Sequence, residues 1–196
     1  MAEYKAYKRK APPGSRGGRL PSVRLLRRVA AGMLPFYRTV AISAAFSGAW
    51  SRAVVKADLD WMRKLLCAVA PRLAHHGLGS NGIGYFITFS ARNSDYSCGI
   101  TIPPGSVQFH FSPKIHRLIA RELVPYCRTV ACRPGYSALL AQAIRRNDGK
   151  AAARLVRRVI RSSALKSVRI DDGGLVLSFK YPFSKYTYTY VLFRDY

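Results

Sequence analysis

Gly84-Tyr-Phe-Ile-Thr-Phe-Ser-Ala-Arg92 sets Tyr85, Ile87, Phe89 and Ala91 against Phe86, Thr88, Ser90 and Arg92, the period-two spacing of a half-buried strand. Upstream, from Ser22 to Leu73, apolar residues recur at helical intervals, so the change of period here decides the fold class. Residues 96–102 and 107–111 continue the alternation, with turn residues at Asn93-Ser94-Asp95 and Pro103-Pro104-Gly105-Ser106 between them. A three-stranded antiparallel meander over 84–111 is the expectation. A second is expected at the C-terminus, over 168–170, 175–181 and 186–193, with turns at Asp171-Asp172-Gly173-Gly174 and around Pro182.

Helices fill the remainder. Ser22 opens one with Leu25, Leu26, Val29 and Met33 inward, ending near Pro35. The apolar stretch onward to Trp50 reads as a buried helix. Pro35 and Arg38 leave too short an uninterrupted run to cross a bilayer, so membrane association is not expected. Residues 58–73 place Leu59, Met62, Leu65, Leu66 and Val69 on one side, with Asp58 at the positive end of the helix dipole. Ser112 caps a helix that starts at Pro113 and stops at Pro125, and Ser137 caps another over 138–146. Residues 144–166 then read as one basic helix, with Leu155, Val156, Val159 and Ile160 on one face and Arg154, Arg157, Arg158 and Arg161 on the other. The expected class is α+β: two antiparallel three-stranded meanders packed with amphipathic basic helices. This would be a single domain over 21–196, preceded by a disordered basic arm over 1–20 that is rich in Lys, Arg, Pro and Gly.

Charge points to a partner. Thirty-three Lys and Arg oppose nine Asp and Glu, for a formal charge of +24 spread along the whole chain, which requires external counter-charge near the folded body. Nucleic acid is the expected partner, with RNA favoured over DNA. Arg24, Arg27, Arg28, Arg145, Arg146, Arg154, Arg157, Arg158 and Arg161 are the candidate phosphate contacts. Tyr186, Tyr188 and Tyr190 alternate along the last strand beside Lys180 and Lys185, a pattern that suits base stacking. The order helix (58–73), three strands (84–111), helix (113–124) is similar to double-stranded RNA-binding domains. The resemblance implies phosphate contacts from Lys114 and Arg117, although that family's Gly and Lys-Lys signature is absent.

Enzyme chemistry finds little footing. No nucleotide-binding glycine loop, nucleophile elbow or His-Glu-x-x-His helix occurs. The acidic pairs Asp58 with Asp60 and Asp171 with Asp172 suit helix starts and turns better than a metal nuclease site. The neighbours His75 and His76 suit a solvated loop, and His110 and His116 lack a carboxylate partner. Cys67, Cys98, Cys127 and Cys132 form no C-x-x-C pair, and no secretory leader precedes them, so reduced thiols in a cytoplasmic or nuclear protein are expected, without cofactor or metal. The leading expectation is a nucleic-acid-binding protein, suited to packaging, silencing suppression or replication support in a virus or mobile element. A capsid or nucleoprotein that self-assembles into a homo-oligomer, and a metal-dependent nuclease, are the other classes.

Overall fold

A computed structural model describes residues 20–91, 94–171 and 173–195; nearly all of the expected N-terminal arm lies outside the described residues. Three helices and a short helical turn, α1 (Val23–Ile42), α2 (Ala44–Lys56), α3 (Leu59–Val69) and α4 (Pro71–Ala74), lead into β1 (Gly77–Ser80), β2 (Gly84–Ala91) and β3 (Ser94–Thr101). The chain then repeats the plan with α5 (Pro113–Cys132), α6 (Pro134–Arg145), α7 (Gly149–Arg157), β4 (Leu165–Asp171), β5 (Gly174–Lys180) and β6 (Thr187–Asp195). The two meanders join into one antiparallel sheet of order β1-β2-β3-β6-β5-β4. The fold is α+β.

The order of the sheet reveals an internal two-fold. Exchanging β1, β2 and β3 with β4, β5 and β6 reverses both the strand order and the strand directions, which is a half-turn about an axis normal to the sheet between β3 and β6. The helices obey the same relation at a spacing of ninety residues. Ser22 and Ser112 cap α1 and α5, each accepting the N–H three residues on. Asp58 and Asp148 cap α3 and α7 in the same way. The prolines at 35 and 125 lie at equivalent points, and burial is identical position by position over residues 31–40 and 121–130. The shared letters include Pro35, Arg38-Thr-Val-Ala41, Ser47, Asp58, Gly84 and Phe89 against Pro125, Arg128-Thr-Val-Ala131, Ser137, Asp148, Gly174 and Phe179.

Helices cover one face of the sheet. Tyr85, Ile87 and Phe89 of β2, Tyr96, Cys98 and Ile100 of β3, and their counterparts Leu175, Leu177, Phe179, Tyr188, Tyr190 and Leu192 are buried beneath them. The antiparallel pair α1 and α5 forms the largest helix interface and lies over the axis. There Tyr37 on α1 corresponds to Cys127 on α5, and Cys98 on β3 to Tyr190 on β6. Each half therefore supplies one phenol and one thiol to the shared core, with the Cys98 thiol 3.5 Å from the Tyr190 hydroxyl. Burial pushes the Cys98 thiol up to about 12, so it packs as a neutral apolar group.

Several expected boundaries are corrected. Helices α1 and α5 run straight past Pro35 and Pro125 to Ile42 and Cys132 instead of stopping there. Each proline is exposed, as is the residue four positions earlier (Ala31 and Arg121), so the carbonyl left without an N–H faces solvent. Beyond the prolines, buried Phe36, Tyr37 and Val40, and Tyr126, Cys127 and Val130, hold the helix by packing. Residues 107–111 are a loop in which Phe109 takes φ 51°; the third strand of the first meander is β1 instead. The helix expected over 58–73 breaks at Ala70, ahead of Pro71. Ser137 caps nothing: α6 begins at Pro134, and the Ser137 hydroxyl donates to the Val130 carbonyl at 2.6 Å. The long basic helix over 144–166 is instead the end of α6, a turn at Asn147 with φ 52°, the nine-residue α7, a loop and the first residues of β4. The double-stranded RNA-binding order does recur, but α5 packs along α1 and β3 pairs with β6, so those elements form no separate unit. No single helix among the described residues is long and apolar enough to cross a membrane; α1 and α2 together pass on length and composition only as a pair bent by 112°.

Candidate nucleic-acid interface

The candidate residues separate by what their side chains already touch. Every guanidinium hydrogen bond among the described residues ends on a backbone carbonyl. Arg27 Nε donates to Ala131 at the end of α5 (3.0 Å), and Arg121 Nε donates to Ala41 at the end of α1 (3.4 Å). Across the axis, each long helix thus covers the other's negative C-terminal end with an arginine. Arg28 donates to the Ser90 carbonyl, and Arg157 reaches Leu165 and Lys166 of β4 at 3.2 Å each. Arg117 is half-buried with its Nε enclosed, Lys114 lies 4.4 Å over the Phe183 ring, and Lys180 donates to the Lys185 carbonyl at 2.7 Å. Apart from Arg117, whose enclosed Nε has no hydrogen-bond partner among the described residues, these cations tie the helices and strand ends together.

The tyrosines of β6 are corrected as a stacking platform. Tyr188 and Tyr190 point into the helix-covered core, which removes both ring faces from any base, and the Tyr188 hydroxyl accepts the Ser112 N–H at 2.9 Å. Tyr186 is half-buried against His110, with ring centroids 5.0 Å apart. Tyr188 and Tyr190 share one face of β6, the inner one, and Tyr186 lies just before the strand.

A second group of cations is exposed and directed outward. Arg24, Arg38, Lys56, Lys64, Arg145, Arg146, Arg154, Arg158 and Arg161 belong to it, as does Arg128. The densest cluster sits at the corner where α6 turns into α7. Arg146 ends α6, Asn147 reverses the chain, and Asp148 fixes the start of α7 by accepting the Ala151 N–H at 2.8 Å. Between the two helices lies a cavity of about 200 Å³ lined by Leu139, Gln142, Arg146, Asp148, Arg154 and Arg158. Arg161 follows in the loop to β4, so the expected four-arginine stripe is divided. Arg154 and Arg158 face the corner, Arg157 faces the sheet, and Arg161 lies beyond the helix.

The same corner is present in the first half. Lys56 ends α2, Ala57 takes φ 51°, and Asp58 accepts the Trp61 N–H at 2.9 Å to start α3. Lys56 and Lys64 stand where Arg146 and Arg154 stand in the second half, and the pairs Arg24 with Lys114 and Arg38 with Arg128 are equivalent on the long helices. The repeat was readable in the spacing of Pro35 and Pro125, of Arg38-Thr-Val-Ala41 and its copy, and of Asp58 and Asp148; reading elements singly misses it.

The acidic residues occupy structural positions. Asp58 and Asp148 hold helix starts, Asp171 ends β4, and no group of three or more His, Cys, Asp or Glu able to hold a metal ion occurs among the described residues. Asp172 lies outside them. Neither family models, nor curated proteins, nor solved structures match this chain.

Proposed function

We propose that this protein binds nucleic acid through phosphate contacts made by its helical side. The observation that carries the reading is the repetition of exposed cations that make no hydrogen bond to a carbonyl and no ring contact among the described residues: Arg38, Lys56 and Lys64 recur as Arg128, Arg146 and Arg154, while most exposed neighbours differ between the halves. A charge needed only for solubility has no reason to keep its place twice, whereas a phosphate contact is fixed by geometry. RNA and DNA both offer that chemistry.

The test separates outward arginines from those bound to carbonyls. Changing Arg154 and Arg158 to Gln removes two corner charges; affinity for a generic nucleic acid falls uniformly across sequences, and the log–log salt slope flattens by about two units. Changing Arg157 to Gln leaves the slope nearly unaltered and lowers stability by about 1 kcal/mol, because two β4 carbonyls lose their donor. A salt-independent affinity, or a slope altered more by Arg157 than by the corner pair, rejects the reading.

A further inference from the structure

The two-fold constrains what kind of nucleic acid fits. A half-turn about an axis normal to the sheet keeps each residue on its side of the sheet and at its height along the axis. The α2–α3 corner with Lys56 and Lys64 and the α6–α7 corner with Arg146 and Arg154 therefore face the same way, at one level, on opposite sides of the α1 and α5 pair. Arg38 and Arg128, each three residues after an exposed proline, are exposed on the two long helices between the corners. A single strand has a direction, so equivalent seats related by a half-turn would have to hold it in opposite senses. An antiparallel duplex has no such conflict, because two-fold axes run perpendicular to its length and relate the phosphates of one strand to those of the other. Dimeric readers use this match, with protein symmetry mirrored in the spacing of two half-sites.

We infer that this chain is a single-chain equivalent of such a dimer, which seats a double-stranded nucleic acid with the duplex two-fold on the axis between α1 and α5, one corner on each strand. The inference rests on the phosphate-binding reading above. The corners are unequal: the second carries Arg158 and Lys150 where the first carries Ala68 and Asp60, so the second half contributes more. Asp58 and Asp148 remain turned to their helix starts.

The experiment uses the full chain, with duplex and single strands of one length and sequence, in DNA and RNA arms. Two double variants of exposed residues are compared, Lys56→Gln with Lys64→Gln and Arg146→Gln with Arg154→Gln, each checked for an unchanged melting transition. Duplex is expected to bind on the order of tenfold more tightly than single strand at equal salt, and each variant to flatten the duplex salt slope by about one to two units. The second-half variant has the larger effect, and the two losses multiply when combined, as for separate contacts on one ligand. Equal affinity for single and double strands, or a first-half variant that binds duplex like the parent, overturns the two-fold seating and leaves phosphate binding intact. Absence of binding to every nucleic acid at low salt overturns the phosphate reading itself. The DNA and RNA arms identify which duplex is held.

Discussion

Trp50 and Leu140 occupy equivalent places on α2 and α6, both buried, yet their surroundings have diverged. Around Trp50 the first half gathers Phe36 at 4.6 Å, Tyr85 at 5.1 Å and a stacked Phe46 at 6.4 Å between ring centroids, with Phe111 and His116 beyond Tyr85. In the second half the corresponding positions hold Tyr126, Leu140, Leu175 and Tyr136, so Trp50 and Tyr85 are matched by leucines while Phe36 and Phe46 are matched by tyrosines. One backbone plan accepts two different fillings, provided each is packed locally to interior density. Exposed positions show the reverse pattern, in which several cations persist while the letters around them change. Packing tolerates exchange of volume between neighbours; on the proposed phosphate-binding reading, a charge that meets its ligand does not.

The largest expected effect breaks that packing. Trp50→Leu installs the second-half residue in the first-half cage and leaves a void among Phe36, Phe46 and Tyr85, at a cost of about 2–4 kcal/mol. Leu140→Trp overfills its site and costs about 1–3 kcal/mol. Urea unfolding of both variants measures the losses. Two near-neutral results would mean that the halves are interchangeable inside and that the divergence carries no packing meaning. Because α1 and α5 share one core, each variant should retain a single transition with a lower midpoint.

How much of this was legible depends on the kind of signal. Periodicity marked β2, β3, β5 and β6 because their inner positions are large and mostly apolar and most of their outer ones are small or polar, as at Ile87 through Ser90. It could not mark Gly77-Leu-Gly-Ser80, where glycine supplies no side chain, and β1 exists because β2 offers it a hydrogen-bonding edge. Residues 107–111 alternate convincingly, but the left-handed backbone at Phe109 ends any strand. Local chemistry at Pro35 and Pro125 disfavours helix continuation, and tertiary burial of the residues after them overrides it. Of the candidate site, the chemistry of the arginines was legible and their direction was not. Arg157 and Arg158 are adjacent in sequence, and only the position of β4 decides that one caps carbonyls while the other faces the corner.

A smaller effect sharpens the comparison through pH. His116 on α5 is fully buried, where its counterpart on α1 is Leu26. Its Nε2 lies 3.0 Å from the Tyr85 hydroxyl, and the Phe36 and Phe111 rings pack beside it. Burial pushes its pKa down to about 3, so the folded protein keeps the ring neutral. An unfolded histidine takes a proton near 6.5. Between about pH 3 and 6.5 the unfolded state therefore holds one more proton. The stability linked to His116 is complete above that window and is lost as pH falls, at up to about 1.4 kcal/mol per unit. Changing His116 to Leu copies Leu26 and removes this dependence. From pH 7 to 4.5 the parent should lose about 2–3 kcal/mol more than the variant, read from urea midpoints, while the other histidines contribute equally to both. Parallel pH profiles would show that His116 is hydrated when folded.

The smallest effect concerns the two corners. Ala57 and Asn147 are equivalent, both exposed, and both left-handed at φ 51° and 52°. Their backbone N–H groups close the preceding helices in the same way, Ala57 onto Ala53 and Val54, Asn147 onto Ile144. For alanine the Cβ crowds the following carbonyl in this region, at roughly 1–2 kcal/mol, whereas asparagine relieves part of the cost through local hydrogen bonding by its side chain. Ala57→Asn should therefore stabilise by about 0.5–1 kcal/mol, and Asn147→Ala should destabilise by a similar amount. Neither position contributes to the core, so both changes report on the backbone alone. Ala57→Gly relieves the same strain but gives back part of the gain through the greater freedom of glycine in the unfolded chain. Thermal melts of the three variants decide the matter. Opposite and equal shifts for Ala57→Asn and Asn147→Ala would mean that the two turns carry the same strain, as the internal two-fold requires. A destabilising Ala57→Asn would mean that the first corner differs in backbone from the second, and that its lysines are aimed elsewhere.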